Sequence, residues 1–442
     1  MGYNHTDKDT DFEYLRLQSS WDGGVTTEAQ IYTYYYDNQT ISSTDPTGQT
    51  APGTRIGGTG NKNIPGIDKQ NQYRVYGGIF KAAKQFSPGL LRAGVWIEKS
   101  DTDRHQYDLD LTLGNIRDPR ETKPTPVQNP SVLFDQQSKI KNTQPFVEFE
   151  WEATSTTLVT PGVKLANITR SVDAVVNQTT RLPQNASVDY RATLPFLTVN
   201  QKLGTGLAAY AQYAKGFQIP DLKSFYITDP TKNSSTPQKS TNYQIGVVGK
   251  SGSFTWDADL YQIDFKNKYV SNGLGGTAAA FVNIGGATYK GFEGQATYLI
   301  GEGLAVYGNG SINRATAEDT GKTISNAPKM TAAAGLIYTQ DSWASSFIYK
   351  RTGENYQQDF DPAKPASYEF YKLAAYNNAD LGASYTFRDL AEGFKALKLQ
   401  LNIFNLFDQH KVTSISPGKT LAGDQYTFQA PRSYQVSLRA DF

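Results

Sequence analysis

The sequence alternates between apolar and polar side chains, residue by residue, in many separate segments. In the stretch RSYQVSLRADF, Tyr434, Val436, Leu438, Ala440 and Phe442 are apolar, and the residues between them are polar. A period of two residues places successive side chains on opposite faces of a β-strand. The same pattern recurs in KALKLQLNIF (395–404), NADLGASYTF (378–387), FVEFEWE (146–152) and VDYRATLPF (188–196). These segments predict strands with one apolar face and one polar face.

The composition also favours an all-β chain. The 442 residues include 28 Tyr and 22 Phe, which favour strands, and 39 Gly and 20 Pro, which favour turns. The net charge of +1 lacks the strong basic excess that a nucleic-acid partner would require. No apolar run is long enough for a membrane helix, and the N-terminal stretch does not have the pattern of a signal peptide.

The joints between predicted strands alternate in length. Short joints that suit hairpin turns occur at 21–24, 87–89, 204–206, 250–253, 301–303 and 340–342. Long polar joints occur at about 38–69, 114–138, 218–239, 353–373 and 411–430. The pattern predicts about 17 strands, many of them longer than those of a soluble sandwich. In the strand predicted at 253–270 the apolar phase slips, so we expect a bulge or an inverted Tyr261.

Two architectures fit such strands. In a soluble sandwich the apolar faces pack inward, whereas in an outer-membrane barrel they face lipid and the joints are short at one end only. The one-sided joints favour the barrel. We therefore expect the Leu and Val residues to face lipid and the polar residues to face the lumen: outward Leu397, Leu399, Leu401, Val436 and Leu438, inward Lys398, Gln400, Gln435 and Arg439. The tyrosines of IYTYYYDN (Tyr32, Tyr34, Tyr35 and Tyr36) suit the membrane–water interface.

Five segments carry a resemblance to a known family. They are AYAQYAKGFQIPDL (209–222), NIGGATYKGFE (283–293), SNAPKMTAAAGLIY (325–338), LNIFNLFD (401–408) and SYQVSLRADF (433–442). In this order they resemble the landmarks of the barrel of TonB-dependent outer-membrane receptors, and the resemblance covers about residues 139–442. It implies a barrel of about 22 strands with a plugged lumen. It also implies energised uptake, through the TonB complex, of an iron–siderophore complex, haem, cobalamin or a glycan.

The sequence before the first predicted strand differs from the pattern of that family. Neither a plug nor a TonB box is recognisable, so we expect residues 1–442 to be one domain, an incomplete barrel whose plug and first strands are missing. An odd number of strands would place Met1 on the extracellular side. The resemblance implies that the TonB complex would act through the missing region. It also implies that Tyr434, Val436, Leu438, Ala440 and Phe442 form a signal for the barrel-assembly machinery.

The sequence gives little support for a catalytic or metal site. Glu148, Glu150 and Glu152 share a strand face, as paired catalytic carboxylates do, but charged residues are expected on a lumenal face, and cations such as Arg191, Lys398 and Arg439 would neutralise them. Asp257 and Asp259 have the same interpretation. His5, His105 and His410 are far apart, which does not favour a metal site. We predict no catalytic, cofactor or metal site.

The function that we expect is uptake of a scarce ligand, above all a ferric siderophore, across the outer membrane of a Gram-negative bacterium. A passive porin and a secreted all-β glycan-binding protein or enzyme remain alternatives. Aromatic residues in the predicted loops could hold a ligand or could pack their own loops: Phe225, Tyr226, Tyr356, Phe360, Tyr368 and Phe370.

Overall fold

The protein is described by a computed structural model that covers residues 4–44, 65–111, 116–117, 132–178, 181–220, 222–225, 236–271, 281–283, 285–391, 393–416, 418 and 423–441. Phe442 and Tyr226 lie outside these residues. Long antiparallel strands dominate the fold. Their bounds are β1 (His5–Trp21), β2 (Val25–Ser43), β3 (Pro65–Phe86), β4 (Gly89–Asp110), β5 (Ile116–Arg117), β6 (Val132–Glu152), β7 (Thr157–Val176), β8 (Gln184–Gly204), β9 (Leu207–Gln218), β10 (Gln238–Ser251), β11 (Phe254–Lys266), β12 (Tyr269–Ser271), β13 (Phe281–Asn283), β14 (Ala287–Gly301), β15 (Leu304–Ala317), β16 (Met330–Gln340), β17 (Trp343–Thr352), β18 (Asn355–Tyr356), β19 (Lys372–Leu373), β20 (Tyr376–Ala391), β21 (Phe394–Phe404), β22 (Val412–Ser416), β23 (Gln425–Phe428) and β24 (Ser433–Asp441).

One sheet forms the wall of the molecule. It contains 18 strands, of which β5 has two residues, so that 17 long strands follow one another around the wall as predicted. Each long strand pairs antiparallel with the next long strand along the chain. Within the described residues no backbone pairing joins β1 to β24. None of the described helices is long and apolar enough to cross a membrane.

The connections alternate in length, which confirms the predicted one-sided pattern. Short turns follow β1, β3, β6, β8, β10, β14, β16 and β20, and long connections leave the opposite end of the wall. The turn after β14 has Glu302 and Gly303 at positive φ (47° and 80°), the backbone twist that suits a tight hairpin. The long connections contain the short pairs β12–β13, β18–β19 and β22–β23 and the helix α1 (Pro365–Phe370). We refer to the two ends as the short-turn end and the long-loop end.

The register separates the two faces of the wall. Leu399 lies opposite Leu438 and Leu401 opposite Val436, whereas Lys398 lies opposite Arg439. Leu399 and Leu401 are 45% and 40% exposed, so the leucines do not converge on a dry core as a sandwich would require. The predicted separation of faces is therefore confirmed for these strands, and we call the face that carries these leucines the outer face.

Aromatic side chains ring the outer face next to the short turns. They are Trp21, Phe86, Trp151, Phe254, Trp343 and Phe387, all of them exposed. On β3 the outer residues from Phe86 up to Tyr76 are apolar or small except for Lys84, whose ammonium lies over the ring of Phe86 at 5.3 Å, and they span about 33 Å along the strand at ~3.3 Å per residue. With a tilt of ~40° this height is about 25 Å, the thickness of the apolar band of outer-membrane barrels.

Above that band the outer face becomes polar. Gln70 donates hydrogen bonds to both carboxylate oxygens of Asp37 at 3.0 Å, and Gln39 donates to Asp68 at 3.0 Å. The pair of Gln39 with Asp68 joins β2 and β3 through residues that sequence composition assigned to a loop. The strands β2 and β3 therefore extend beyond their predicted ends at residues 37 and 70.

The tyrosines of β2 do not form the predicted membrane–water belt. Tyr32, Tyr34 and Tyr36 alternate onto the inner face, where the ring of Tyr32 lies over Gly77 and a Cβ on that glycine would come within 2.1 Å of the ring. Tyr32 donates a hydrogen bond to Glu98 at 2.5 Å. Only Tyr35 faces outward, and Arg74 stacks on its ring at 4.5 Å while pairing with Asp11 at 3.1 Å. The prediction failed because composition does not reveal which parity of a strand faces lipid.

The orientation predicted for VDYRATLPF on β8 is inverted along the whole segment: even Phe196, nearest the short turn, lies on the inner face against Gly162 and Glu148. Tyr190 is 3% exposed and packs on the inner face against Val172 and Phe225, whereas Asp189 and Arg191 are exposed on the outer face. Asp189 accepts a hydrogen bond from Thr169 at 2.6 Å. The apolar side chains at the upper end of this segment are covered by chain from the long connection after β9 rather than by lipid.

No bulge explains the phase slip in β11. Its pairing with β10 and β14 is continuous from Phe254 to Phe265. Tyr261 shares the inner face with Asp259 and donates a hydrogen bond to Asn313 at 3.1 Å. The inverted tyrosine is therefore the correct alternative, and Phe265 above it packs with Ala287 in a small inner cluster.

Asn405 closes the end of β21 and explains part of the segment LNIFNLFD. It lies at φ 51° and is 5% exposed. Its amide nitrogen donates hydrogen bonds to the carbonyl oxygens of Gln409 (2.9 Å) and Ala430 (2.8 Å), and its amide oxygen accepts one from the backbone nitrogen of Gln409 (2.9 Å). One side chain thus holds both ends of the connection between β21 and β24.

Replacing Asn405 by alanine is expected to destabilise this connection by about 2 kcal/mol, since buried hydrogen bonds contribute about 1 kcal/mol each and alanine disfavours positive φ. Asn405→Gly is the matched control because it permits the backbone conformation but lacks the amide. Hydrogen exchange of residues 405–412 in both variants measures the loss. Equal protection in wild type and Asn405→Ala would show that the amide does not hold the connection.

Candidate functional site

The inner face of the wall carries networks of charge near the short-turn end. Glu28 on β2 accepts a hydrogen bond from Arg16 on β1 at 2.7 Å and one from Lys81 on β3 at 3.0 Å. Gln18 donates to the same carboxylate at 3.0 Å. Because the three strands are neighbours, alternate side chains on one face meet across the register.

The glutamates of FVEFEWE belong to a second network of this kind. Arg92 on β4 pairs with Glu148 and with Glu150, each at 3.0 Å. Of the cations that sequence analysis suggested as partners, Arg191 lies on the outer face of β8, and Arg439 pairs with Asp441 at 2.9 Å. The two glutamates therefore have an ionic partner of their own, as expected of structural lumenal charges. Arg92 was missed because its pairing depends on β4 and β6 meeting across a long connection.

The third group of charges lies on the inner face of β11 and β14. Asp259 lies directly opposite Glu293, and Asp257 lies opposite Gln295, which donates to it at 2.6 Å. Asp259 is 8% exposed, and one of its carboxylate oxygens is buried without a hydrogen-bond partner, although the other accepts a bond from Tyr210 at 3.3 Å. Like charges directly opposite each other are destabilising, so this part of the wall favours a cationic group in the lumen.

The long connections form a polar and aromatic rim. Tyr356 stacks on Tyr368 with ring centroids 4.0 Å apart, and Phe360 meets Tyr368 edge-on at 5.4 Å. Tyr368 is 4% exposed and donates a hydrogen bond to the carbonyl oxygen of Thr323 at 2.7 Å, and burial raises its pKa to about 12. These three aromatic residues therefore pack one another.

The remaining predicted loop aromatics differ in exposure. Phe225 is 1% exposed in the cluster with Val172 and Tyr190, which makes it a packing residue. Phe370 is 60% exposed at the end of α1, and Tyr426 and Phe428 on β23 are 52% and 58% exposed. Sequence reasoning missed the last two because the predicted connection 411–430 contains a hairpin of its own.

An ion triad joins two of these connections. Glu354 accepts a hydrogen bond from Lys329 and pairs with Lys372 at 3.2 Å. Lys329, and then Lys372, hold the pKa of Glu354 below its usual value. A carboxylate with a lowered folded pKa stabilises its surroundings fully above its unfolded pKa, and this contribution is lost as the pH falls through the folded value.

We therefore expect the connection 353–375 to keep its protection from proteolysis between neutral pH and the ordinary glutamate value of about 4.3, and to lose it below that value. Limited proteolysis at a series of pH values measures this. Glu354→Gln, whose side chain cannot ionise, is the control. The protease should cleave its connection at a rate that does not change as the pH falls below the ordinary glutamate value. Loss of protection already at pH 6 in the wild type would contradict the expectation.

The three histidines do not meet. His5 lies 3.3 Å from Asp7, His105 lies 3.7 Å from Asp103 and stacks on Tyr107, and His410 lies 3.5 Å from Asp408. Among the residues that the structure describes, no three His, Asp or Glu side chains are grouped to hold a metal ion.

The predicted assembly signal lies on the last wall strand. Tyr434, Val436 and Leu438 are 64–69% exposed on the outer face of β24. They lie opposite Ile403, Leu401 and Leu399 of β21, and Ala440 lies opposite Leu397. The fifth member, Phe442, is outside the described residues. The four described members therefore form one apolar face.

Comparison with known proteins gives three findings. The protein-family model described as TonB dependent receptor-like, beta-barrel matches residues 1–406. The vitamin B12 transporter BtuB of Photobacterium profundum is 27% identical over 260 residues, which is 57% of this chain and 39% of that protein. Two crystal structures share the fold: the ferric citrate transporter FecA (TM-score 0.76, 16% identity, 100% of this chain and 62% of that chain) and the ferric yersiniabactin uptake receptor FyuA from Yersinia pestis (TM-score 0.71, 13% identity, 99% and 62%). The chain thus spans less than two thirds of the length of each of these proteins.

Proposed function

The chain belongs to the TonB-dependent receptor family, and on this basis we propose that it forms the wall of an outer-membrane receptor that takes up a small ligand. The observation that carries the proposal is the wall itself, whose 17 strands present exposed apolar residues outward and hydrogen-bonded charged residues inward. An apolar outer face suits lipid because a bilayer does not solvate charge. A polar inner face suits a lumen through which a polar ligand moves.

A ferric siderophore is the ligand class that we favour. The fold neighbours FecA and FyuA are named for ferric citrate and ferric yersiniabactin, both of them iron chelates. A corrinoid is the second candidate, because the relative identified by sequence is a vitamin B12 transporter. The exposed aromatics Phe370, Tyr426 and Phe428 on the rim suit either ligand, since both present large, partly apolar surfaces.

We place the receptor in the outer membrane of a Gram-negative bacterium, with uptake energised through TonB and with binding and transport rather than covalent chemistry as its task. A passive porin would have the same wall but no dependence on TonB. A secreted β-protein that binds or cleaves glycans would bury its leucines, whereas Leu399 and Leu438 are 45% and 67% exposed.

Uptake measurements test this proposal. Cells of the native host that produce the receptor would be supplied with 55Fe-labelled ferric siderophores or with labelled cobalamin. Uptake would be compared between cells with and without a functional TonB. We expect TonB-dependent uptake of at least one ferric siderophore. Uptake that persists without TonB would indicate a porin, and uptake of cobalamin alone would favour the corrinoid.

We also propose that the outer face of β24 is the surface that the barrel-assembly machinery reads. Phe442→Ala is expected to reduce insertion into the outer membrane, because it removes the last aromatic residue of the apolar series that begins at Tyr434. Asp441→Asn, at the adjacent inward position, is the control. The heat-modifiable mobility of the folded barrel on gels measures insertion, and an unchanged folded fraction in Phe442→Ala would rule out this role.

A further inference from the structure

Two cations face each other on the outer surface of the wall. Lys290 on β14 lies directly opposite Arg314 on β15, and both side chains are exposed. They lie on the outer face because they share strand parity with Phe292 and Ile312, which are 46% and 64% exposed. Within the described part of the chain neither residue has an ion-pair partner, and Asp264, which lies opposite Thr288 at the next outward position, accepts hydrogen bonds from Gln262 and Thr288. Like charges directly opposite each other are destabilising unless an anion lies between them.

The position of the two cations along the wall matches the boundary of the apolar band. They lie one outward position beyond Phe292 and Ile312, towards the long-loop end, and the next outward position carries Thr288 and Thr316. The outward positions on the other side, towards the short turn at residues 302–303, are apolar or small. The anion that suits this pair therefore lies at the level of lipid headgroups in the leaflet nearest the long loops.

An apolar depression continues from the cations towards the short-turn end. Its floor consists of small residues that the register places side by side on four neighbouring strands: Ala258 on β11, Gly294 and Ala296 on β14, Gly308 and Gly310 on β15, and Ala332 on β16. Trp256 and Met330 border it. The depression has a volume of about 660 Å³, and a second one of about 740 Å³ that includes Lys290 and Arg314 adjoins it across Phe292 and Ile312.

Packing within the chain does not require the two glycines of β15. A Cβ at Gly310 would meet no atom closer than 3.5 Å, and one at Gly308 would meet none closer than 3.8 Å. Neither glycine has the positive φ that would exclude a side chain. The space above them is open towards the lipid, so its shape suits an occupant that comes from the membrane.

We propose that this surface binds one lipid molecule whose headgroup carries phosphate monoesters and whose acyl chains lie in the depression. Lys290 and Arg314 would hold the phosphate, because ammonium and guanidinium groups form strong charge-assisted hydrogen bonds with phosphate oxygens. The acyl chains would cover the Gly and Ala floor between Trp256 and Met330. This inference extends beyond ligand uptake, since it concerns the outer face and not the lumen.

Native mass spectrometry of the full chain in detergent tests the proposal, with bisphosphorylated lipid A as the probe and phosphatidylcholine as the neutral lipid. We expect one bound lipid A per chain and no comparable retention of phosphatidylcholine. Lys290→Gln with Arg314→Gln should reduce retention roughly 25-fold, at about fivefold for each cation near an anionic headgroup. Gly310→Leu, whose Cβ would meet no atom closer than 3.5 Å and whose side chain would occupy the depression, should reduce it as well.

The double variant Arg191→Gln with Lys84→Gln is the matched control, because it removes the same charge from the outer face elsewhere and should retain lipid A as the wild type does. Heat-modifiable mobility would show that each variant is folded. Unchanged retention in the Lys290 and Arg314 variant, or equal retention of phosphatidylcholine, would overturn the proposal. A lipid-free dimer of the wild type would also overturn it, since the depression would then be covered by a second copy.

Discussion

Replacing Leu399 by arginine is expected to lower the stability of the folded wall in a bilayer by about 2–4 kcal/mol, the cost of an outward arginine near the midplane of a β-barrel. Leu399 is 45% exposed on the outer face and lies midway along β21, between the short-turn end and the upper end of the strand. Its neighbours across β20 and β24 are Tyr385 and Leu438, so the guanidinium would have no carboxylate partner in the strand pairs. Urea titration of the protein folded into phosphatidylcholine vesicles measures the change.

The matched control for this experiment is Gln400→Arg, one residue further along the same strand. Gln400 is directed to the inner face, where it donates a hydrogen bond to Asn402 at 3.1 Å, and an arginine there would meet water. We expect this variant to stay within about 0.5 kcal/mol of the wild type, as surface substitutions usually do. Equal costs for the two variants would mean that β21 does not separate lipid from water.

Replacing Phe225 by alanine is expected to free the segment Leu222–Phe225 from the inner face at a cost of about 3–5 kcal/mol, the usual cost of removing a buried phenylalanine ring. Phe225 is 1% exposed and packs with Val172 and Tyr190. The guanidinium of Arg170 donates a hydrogen bond to the carbonyl oxygen of Pro220 and so holds the same segment from the wall. The expected result is loss of amide protection at residues 222–225, measured by hydrogen exchange.

Phe370→Ala is the matched control for that ring deletion, because Phe370 is 60% exposed and its removal should leave the protection of residues 222–225 unchanged. Ligand binding distinguishes the two residues further. If Phe225 only packs, its replacement alters affinity through the freed segment, and a more conservative Phe225→Leu variant should restore both protection and affinity. Normal protection in Phe225→Ala would contradict the packing assignment.

The number of wall strands and the alternation of their turns could be predicted from sequence because both follow from local patterns. A period of two residues marks a strand wherever it occurs, and Gly-rich joints such as GEG at 301–303 mark a hairpin. The ends of the strands were harder to predict from the sequence. The extensions of β2 and β3 contain pairs such as Gln39 with Asp68, which become neighbours only once the two strands are in register.

The direction of each face was predictable for β21 and β24 but not for every strand. Leu399 and Val436 face outward as the pattern indicates, but Tyr190 faces inward because Phe225, from a connection beyond the next strand, covers it. The parity of Tyr34 and Tyr36 likewise depends on the register with β3, where Tyr73 stacks on Tyr36 at 5.1 Å. Alternation alone does not show whether an apolar side chain faces lipid or is covered by a folded loop.

The partners of the inner charges were not predictable for the same reason. Glu148 and Glu150 are evident in the sequence, but Arg92 reaches them only because β4 and β6 pair across more than twenty intervening residues. The like-charged neighbours, Asp259 with Glu293 inside and Lys290 with Arg314 outside, also become visible only in the register. Sequence therefore indicated that the inner face is charged but not which charges remain without a counterion.

A spin-label scan along β21 tests most directly whether the strands separate lipid from an aqueous lumen. The chain contains no cysteine, so single cysteines at positions 397 to 402 can each carry one label without further changes. In vesicles we predict that labels at Leu397, Leu399 and Leu401 collide with oxygen dissolved in the lipid. Labels at Lys398, Gln400 and Asn402 should instead collide with a water-soluble nickel chelate. Accessibility to the nickel chelate at all six positions, or the opposite phase, would contradict the account.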